Sequence, residues 1–247
     1  MKILDREISK KSESAYIALT NGLSKPLCFS EIKKGISAFG QCDINNPTSY
    51  LIYLNAELPQ DIFEVNALHE IAHAAQDNRG YPYLRVNPIL EKSIRREHIE
   101  SLQHEIQSRI LDIFVINDLK KLGISSEYFI SYGFSRIMDA IHSGYRFEYI
   151  VDEIDFAMKL VYLSCVCGAA RTDQLKHKVK QFYPTMFNKA FSLAKRCKRI
   201  GFNSARDAAL VEIECFNTYG IWRCLHIASA RGTITSPDDT EKFLSLF

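Results

Sequence analysis

Three residues within five positions could act together chemically: His69, Glu70 and His73, in the segment HEIAH. Two histidines four apart lie on one face of an α-helix, with Cβ atoms roughly 6 Å apart, so both imidazoles can reach a single metal ion. A glutamate beside the first histidine can reach a metal-bound water and take its proton. The pattern H-E-x-x-H therefore predicts a zinc site in which Glu70 is the general base.

The residues around this motif are apolar, which predicts a helix that is buried on most of its circumference. They are Ala67, Leu68, Ile71, Ala72, Ala74 and Ala75. Apolar surroundings also allow a second interpretation, in which the two histidines are ordinary core residues and Glu70 points to the solvent. The metal site is favoured because the motif lies within a helix that directly follows a predicted strand.

A catalytic zinc site needs a third protein ligand and an open position. The metzincin pattern would require glycine at position 76 and histidine at position 79, but the chain has Gln76 and Arg79. The third ligand is therefore expected in the next helix, REHIESLQHEIQSRILDIF. That helix offers Glu97, His98, Glu100, His104 and Glu105. Helix phase places Glu105 and Glu100 on opposite flanks of the apolar face, and the small Ser108 one turn after Glu105 favours Glu105.

The elements that must position these residues follow from hydrophobic periodicity and turn residues. The active helix is expected to have Pro59 near its first turn, a capping box of Asp61 and Glu64, and an end at Asp77 or Asn78 followed by Gly80. Other expected elements are a helix over 11–23, a strand over 25–29, a turn-rich stretch over 34–48 with room for another short strand, a strand over 49–55, a helix over 90–121, and helices over 128–144, 147–168, 187–197 and 204–230.

This order predicts an α+β fold that is mostly helical. A domain over residues 1–121 would hold a minimal zincin-like core, with a small sheet and the H-E-x-x-H helix. A helical domain over residues 122–247 would follow it.

The pairing of LHEIAHAAQ with HEIQSRILDIF about thirty residues later resembles the gluzincin metallopeptidases, and most of all their soluble ImmA/IrrE-type group. In that family the third ligand opens a pattern similar to Glu105-Ile106-Gln107-Ser108-Arg109. The resemblance implies a zincin-like fold, Zn²⁺ held by His69, His73 and Glu105, and Glu70 as the catalytic residue. It also implies that the strand before the active helix is an edge strand, which holds an extended peptide.

Composition limits the partners and the compartment. The formal net charge is only +2, which does not favour nucleic acid as a partner, and the longest apolar stretch, residues 156–170, is too short to span a bilayer. Residues 171–199 hold nine lysines or arginines and one acid, a pattern typical of a solvated helix surface. The seven cysteines form no C-x-x-C pair and no signal peptide is evident, so reduced thiols and a cytoplasmic location are expected.

The sequence therefore predicts a cytoplasmic zinc metallopeptidase that cleaves a protein or peptide partner, which by resemblance would be a regulatory protein. The alternative is an inactive zinc-binding module whose basic helical half binds a protein or nucleic acid. A structural zinc would be closed by four protein ligands and would have no need of Glu70, so the two functions differ in what they require of that residue. The oligomeric state is not indicated.

Overall fold

The computed structural model describes residues 1–32, 39–90, 96–230 and 232–247. The helices are α1 Lys10–Thr20, α2 Gln60–Asn78, α3 Arg96–Lys121, α4 Glu127–His142, α5 Ile150–Val166, α6 Ala169–Phe182, α7 Pro184–Ile200, α8 Ala205–Tyr219 and α9 Thr240–Leu244. The strands are β1 Lys2–Ile3, β2 Arg6–Glu7, β3 Leu27–Glu31, β4 Gly40–Asp43, β5 Tyr50–Leu54, β6 Tyr83–Val86, β7 Leu225–Ser229 and β8 Gly232–Ile234. The predicted α+β class with mainly helical content is confirmed.

The chain forms two compact units, neither of which is continuous in sequence. The first contains residues 1–80 and 115–128, and the second contains residues 81–114 and 129–247. Helix α3 contributes its last part, from Val115 onward, to the first unit. None of the helices within the described ranges is both long enough and apolar enough to cross a membrane. All seven cysteines are free thiols, as expected.

The sheet of the first unit has the order β3-β5-β4, with β5 parallel to β3 and antiparallel to β4. Tyr50, Ile52 and Leu54 are fully buried and Leu51 and Tyr53 are less so, which is the alternation typical of a β-strand. The expectation that the strand before the active helix is an edge strand is wrong, because β3 and β4 pair along its two sides. The edge strand beside α2 is β4 instead.

Helix α2 packs into the core of the first unit through small and branched side chains. Ala67, Ile71, Ala72 and Ala75 are buried together with strand residues and with Val115 and Leu119 of α3. Alanines allow the backbones of neighbouring elements to approach closely, so that α2 lies deep in the unit. The helix ends at Asn78, and Gly80 follows with a φ of 75°. The predicted end of the active helix is therefore confirmed.

The predicted capping box of Asp61 and Glu64 is wrong. Pro59 is the N-cap of α2, and no side chain forms a capping hydrogen bond there. Glu64 turns to the neighbouring helix instead, where its carboxylate accepts hydrogen bonds from the backbone N–H and hydroxyl of Ser9 (3.1 and 2.7 Å) and from the hydroxyl of Ser12 (2.6 Å). These donors at the start of α1 compete successfully for the carboxylate that a local cap would have used.

The start of α2 is also held by Arg6 of strand β2. Its guanidinium donates to the backbone oxygens of Ala56 and Leu58, each at 2.8 Å, and to the side-chain oxygen of Gln60. The turn that leads into α2 is therefore fixed by Arg6, about fifty positions earlier in the chain.

The second unit is built mainly of helices, with a small antiparallel sheet of order β6-β7-β8. Residues 225–229, predicted to be helical, form the central strand of that sheet, because Leu225, Ile227 and Ala228 bury their side chains while pairing with β6 and β8. The predicted helix over 204–230 therefore stops at Tyr219. The basic stretch over 171–199, expected to be a helix surface, lies on the two helices α6 and α7.

Two predicted elements extend beyond the described residues. Residues 34–38 of the turn-rich stretch predicted over 34–48 lie outside the described ranges. The helix predicted over 90–121 is described from Arg96, since residues 88–90 form a 3₁₀ turn and residues 91–95 also lie outside.

We predict that Glu64→Gln lowers the free energy of unfolding at pH 7 by about 1 to 2 kcal/mol, because charged hydrogen bonds to Ser9 and Ser12 are replaced by neutral ones. Burial raises the pKa of Glu64, but the hydrogen bonds from Ser12, Gln60 and Ser9 outweigh it and hold the pKa below its ordinary value of 4.5. The stabilisation is therefore present above pH 4.5 and is lost as the pH falls through the lowered folded-state pKa.

Urea unfolding of the wild type and the variant at pH 7 and at decreasing acidic pH measures this effect. Glu57→Gln is the matched control, since Glu57 is an exposed carboxylate at the same end of α2. A Glu64 variant whose deficit is the same at every pH would contradict the role of the charge.

Candidate metal centre

His69 and His73 lie on adjacent turns of α2 and their ring centroids are 4.9 Å apart. Both side chains are partly exposed, whereas Glu70 between them is 7% exposed. The alternative interpretation of two buried histidines with Glu70 at the surface is therefore wrong. The accessible imidazoles and the buried carboxylate match the arrangement that a metal site on this helix would need.

Glu70 lies directly against the first residue of β4. A Cβ atom added to Gly40 would come within 2.7 Å of Glu70 Cγ and within 2.8 Å of Glu70 Oε1 and Asn66 Nδ2. Asn66 donates from Nδ2 to the backbone oxygen of Phe39 at 2.7 Å, which pins the start of the strand to the helix. A glycine at position 40 is what leaves room for the glutamate side chain between α2 and β4.

The described residues contain one group of side chains that could hold a metal ion, and it consists of His69, His73 and Asp112. Each offers one ligand atom, and the three atoms lie within 4.8 Å of one another. Asp112 precedes Val115 by one turn of α3, and Val115 packs in the same core as α2.

The donor set of this group fits a divalent transition metal. Two imidazole nitrogens and one carboxylate oxygen are a standard set for catalytic zinc, with a fourth position left for water. The three residues are partly exposed, which leaves the site accessible to solvent.

Two residues of α3 hold the carboxylate of Asp112 in place. Ser108 Oγ lies 3.4 Å from Asp112 Oδ2, and Arg109 Nη1 lies 3.8 Å from the same oxygen. The ring of Tyr162, on α5, lies 6.0 Å from the guanidinium carbon of Arg109. Such neighbours orient a ligating carboxylate and limit its rotation.

Glu105, the predicted third ligand, lies two turns before Asp112 on the same helix. Its carboxylate accepts a hydrogen bond from Arg109 Nη2 at 3.0 Å. Burial raises the pKa of Glu105, but the charges of Arg109 and Lys159 and a hydrogen bond with Asp155 outweigh it and lower the pKa. For Asp155, burial raises the pKa. Glu105 is thus engaged in a polar network of its own, and its role as a ligand stays a prediction.

The alternative ligand Glu100 is exposed and forms an ion pair with Arg96 at 2.6 Å. Sequence reasoning did not consider Asp112, although a signal for it exists. Positions 105 and 112 are seven residues apart, which brings them within about 20° of each other around a helix. The argument that placed Glu105 on the flank of the apolar face applies equally to Asp112.

We predict that Gly40→Ala lowers the free energy of unfolding by about 1 to 3 kcal/mol, because the added methyl group overlaps the Glu70 and Asn66 side chains. Gly40 has no positive φ, so the loss is due to crowding and not to backbone strain. Urea unfolding measures it. Gly133→Ala is the control: its Cβ would meet nothing closer than 3.6 Å, and alanine favours a helix. Equal stability of the Gly40 variant and the wild type would show that Glu70 is not held there.

No family model, no curated protein and no solved structure matches this chain.

Proposed function

We propose that this protein is a zinc-dependent metallopeptidase that hydrolyses a peptide bond in a protein partner. The observation that carries the proposal is the grouping of His69, His73 and Asp112 with the buried Glu70 carboxylate next to the first of them. The imidazoles of His69 and His73 and the carboxylate of Asp112 would bind Zn²⁺. Three protein ligands would leave the open coordination position that catalysis requires. A purely structural zinc would be expected to have four.

An extended peptide has a place to bind beside Glu70. Strand β4 pairs with β5 on one side, and among the described residues no strand pairs with its other side. The free N–H and C=O groups of an edge strand can add a peptide as a further strand. Since β4 begins at Gly40, against which Glu70 packs, a peptide bound along β4 would pass the carboxylate.

Zinc held by these residues would supply a polarised water of lowered pKa. Glu70 would accept a proton from that water as its oxygen bonds to the peptide carbonyl carbon, and would give the proton to the leaving nitrogen as the C–N bond breaks. The products would be a carboxylic acid and an amine. Asn66 and Gly40 contribute by holding Glu70 and the edge strand in contact.

We predict that the wild type binds one zinc ion per chain and that Asp112→Ala weakens zinc binding by more than about a hundredfold, as loss of a ligand exceeds the effect of losing a supporting residue. Glu105→Ala is the matched variant on the same helix and should change zinc affinity by less than about tenfold. Competition with a chromophoric chelator gives the affinities, and elemental analysis identifies the metal.

If Glu105→Ala weakened zinc binding more than Asp112→Ala did, the third ligand would be Glu105, as the family resemblance implies. Full zinc content in a His69→Ala/His73→Ala double variant would refute the metal centre on α2.

For catalysis, we predict that Glu70→Gln keeps the zinc and the fold but loses at least about a hundredfold in peptide hydrolysis, because the amide cannot accept the proton. A mixture of unstructured peptides, with cleavage products identified by mass spectrometry, serves as the substrate. Glu57→Gln, an exposed carboxylate in the same unit, should cleave as the wild type does. Zinc-dependent cleavage that survives in the Glu70 variant would contradict the proposed base.

If neither the wild type nor the variant cleaves any peptide while both bind zinc, the inactive zinc-binding module becomes the better description.

A further inference from the structure

A pocket of about 350 Å³ lies between helices α7 and α8 of the second unit. Six residues with polar or charged side chains line it, with their apolar stems forming part of its wall: Asn188, Lys189, Ser192, Arg196, Asn217 and Thr218. A volume of this size is within the range of small-molecule sites. None of these residues belongs to the metal centre or is used by the proposed peptidase.

Two acceptor atoms of this pocket, Thr218 Oγ1 and Asn217 Oδ1, already accept hydrogen bonds from protein donors. Arg196 donates from Nε to Glu214 Oε2 at 2.6 Å and from Nη2 to Thr218 Oγ1 at 2.5 Å. Thr218 donates in turn to the backbone oxygen of Glu214 at 2.7 Å. The side-chain oxygen of Asn217 accepts the indole N–H of Trp222 at 2.9 Å.

Several donors remain for a ligand in this pocket. The side-chain NH₂ of Asn217 is left over once its oxygen is taken by Trp222, and Arg196 keeps the N–H groups of Nη1. Lys189 is exposed, and among the described residues no carboxylate pairs with its ammonium group. Asn188 and Ser192 add an amide and a hydroxyl at the same surface.

The pocket carries a net positive charge, which attracts the same kind of ligand as its hydrogen-bond donors do. Lys189 and Arg196 carry two positive charges, and Glu214 supplies one negative charge that is already bonded to Arg196. Lys195 and Arg199 lie further along α7 and are exposed, which adds to the positive potential around the opening. Donors with a positive charge select oxyanions, for which charged hydrogen bonds are the strongest kind.

We propose that the pocket between α7 and α8 binds an oxyanion group, phosphate or carboxylate, of a small polar molecule. The basic stretch over 171–199 then has two parts. Most of its lysines form a solvated surface, while Lys189 and Arg196 form part of a ligand site with Asn217 of the next helix.

The protein contains a single tryptophan, Trp222, and its indole N–H bonds to the lining residue Asn217. Tryptophan fluorescence of the full chain therefore reports on the pocket directly. Inorganic phosphate and, separately, acetate are titrated at constant ionic strength, with chloride as the reference salt. We expect a saturable change with at least one of the two anions, and the tighter one identifies the source of the oxyanion.

Lys189→Gln should weaken this binding about tenfold, the effect of losing one charged hydrogen bond. Lys195→Gln is the matched control: it removes the same charge from an exposed site on the same helix, outside the pocket, and should stay within about twofold. Asn217→Asp keeps an acceptor for Trp222 but places a negative charge against the ligand, so it should abolish binding.

Each other outcome would overturn the proposal. No saturable change with either anion means that the pocket does not select oxyanions. Equal weakening by Lys189→Gln and Lys195→Gln means that the attraction is a general effect of surface charge. Unchanged binding in Asn217→Asp would place the anion elsewhere.

Discussion

The burial of α2 is the constraint on which the arrangement of the first unit depends. Ten of its nineteen residues are buried, and these include the polar residues Asn66, Glu70 and Gln76. A buried polar group needs a hydrogen-bond partner, so each of these side chains restricts what can pack beside it. The helix therefore has two requirements at once: alanines for close packing on one side, and polar contacts with the neighbouring strand on the other.

The polar contacts of α2 position strand β4. Its first residue is a glycine in contact with Glu70, and the residue before it accepts a hydrogen bond from Asn66. At the other end of the helix, Arg79 bonds to Asp118 of α3 at 2.6 Å, within the same unit. Helix α2 is thus held by polar contacts near both of its ends, and packing of apolar residues fills the space between them.

The sequence predicted what depends on local periodicity. The i, i+4 spacing of His69 and His73, the end of α2 before Gly80 and the strand over Tyr50–Leu54 all require only neighbouring residues, and the structure has them. The small sheet formed by β6, β7 and β8 was not predicted, because residues 225–229 are short and apolar, and such a segment is a strand or a helix according to its partners. The partner strand β6 lies about 140 residues earlier.

The candidate site also shows what local periodicity cannot predict. Helix phase assigns a residue to a face but does not say where along the axis it lies, and residues 105 and 112 share a face about 10.5 Å apart. Only packing can choose between them. Likewise, the contact of Gly40 with Glu70 joins residues thirty positions apart, and no pattern in the chain encodes it. The position of Glu64 in the sequence favours a local cap of α2, but the serines of α1 offer its carboxylate more hydrogen-bond donors.

The discontinuity of the first unit has a consequence for synthesis on the ribosome. The helix with the histidines is complete when residue 78 has been made, but part of its core, Val115 and Leu119, comes much later. At about 5–20 residues per second, the roughly forty residues in between take about 2 to 8 seconds. For that time the apolar side of α2 lacks its partner from α3 and is open to water or to a chaperone. The nascent chain must keep the strands and α1 close to α2 until the last segment arrives.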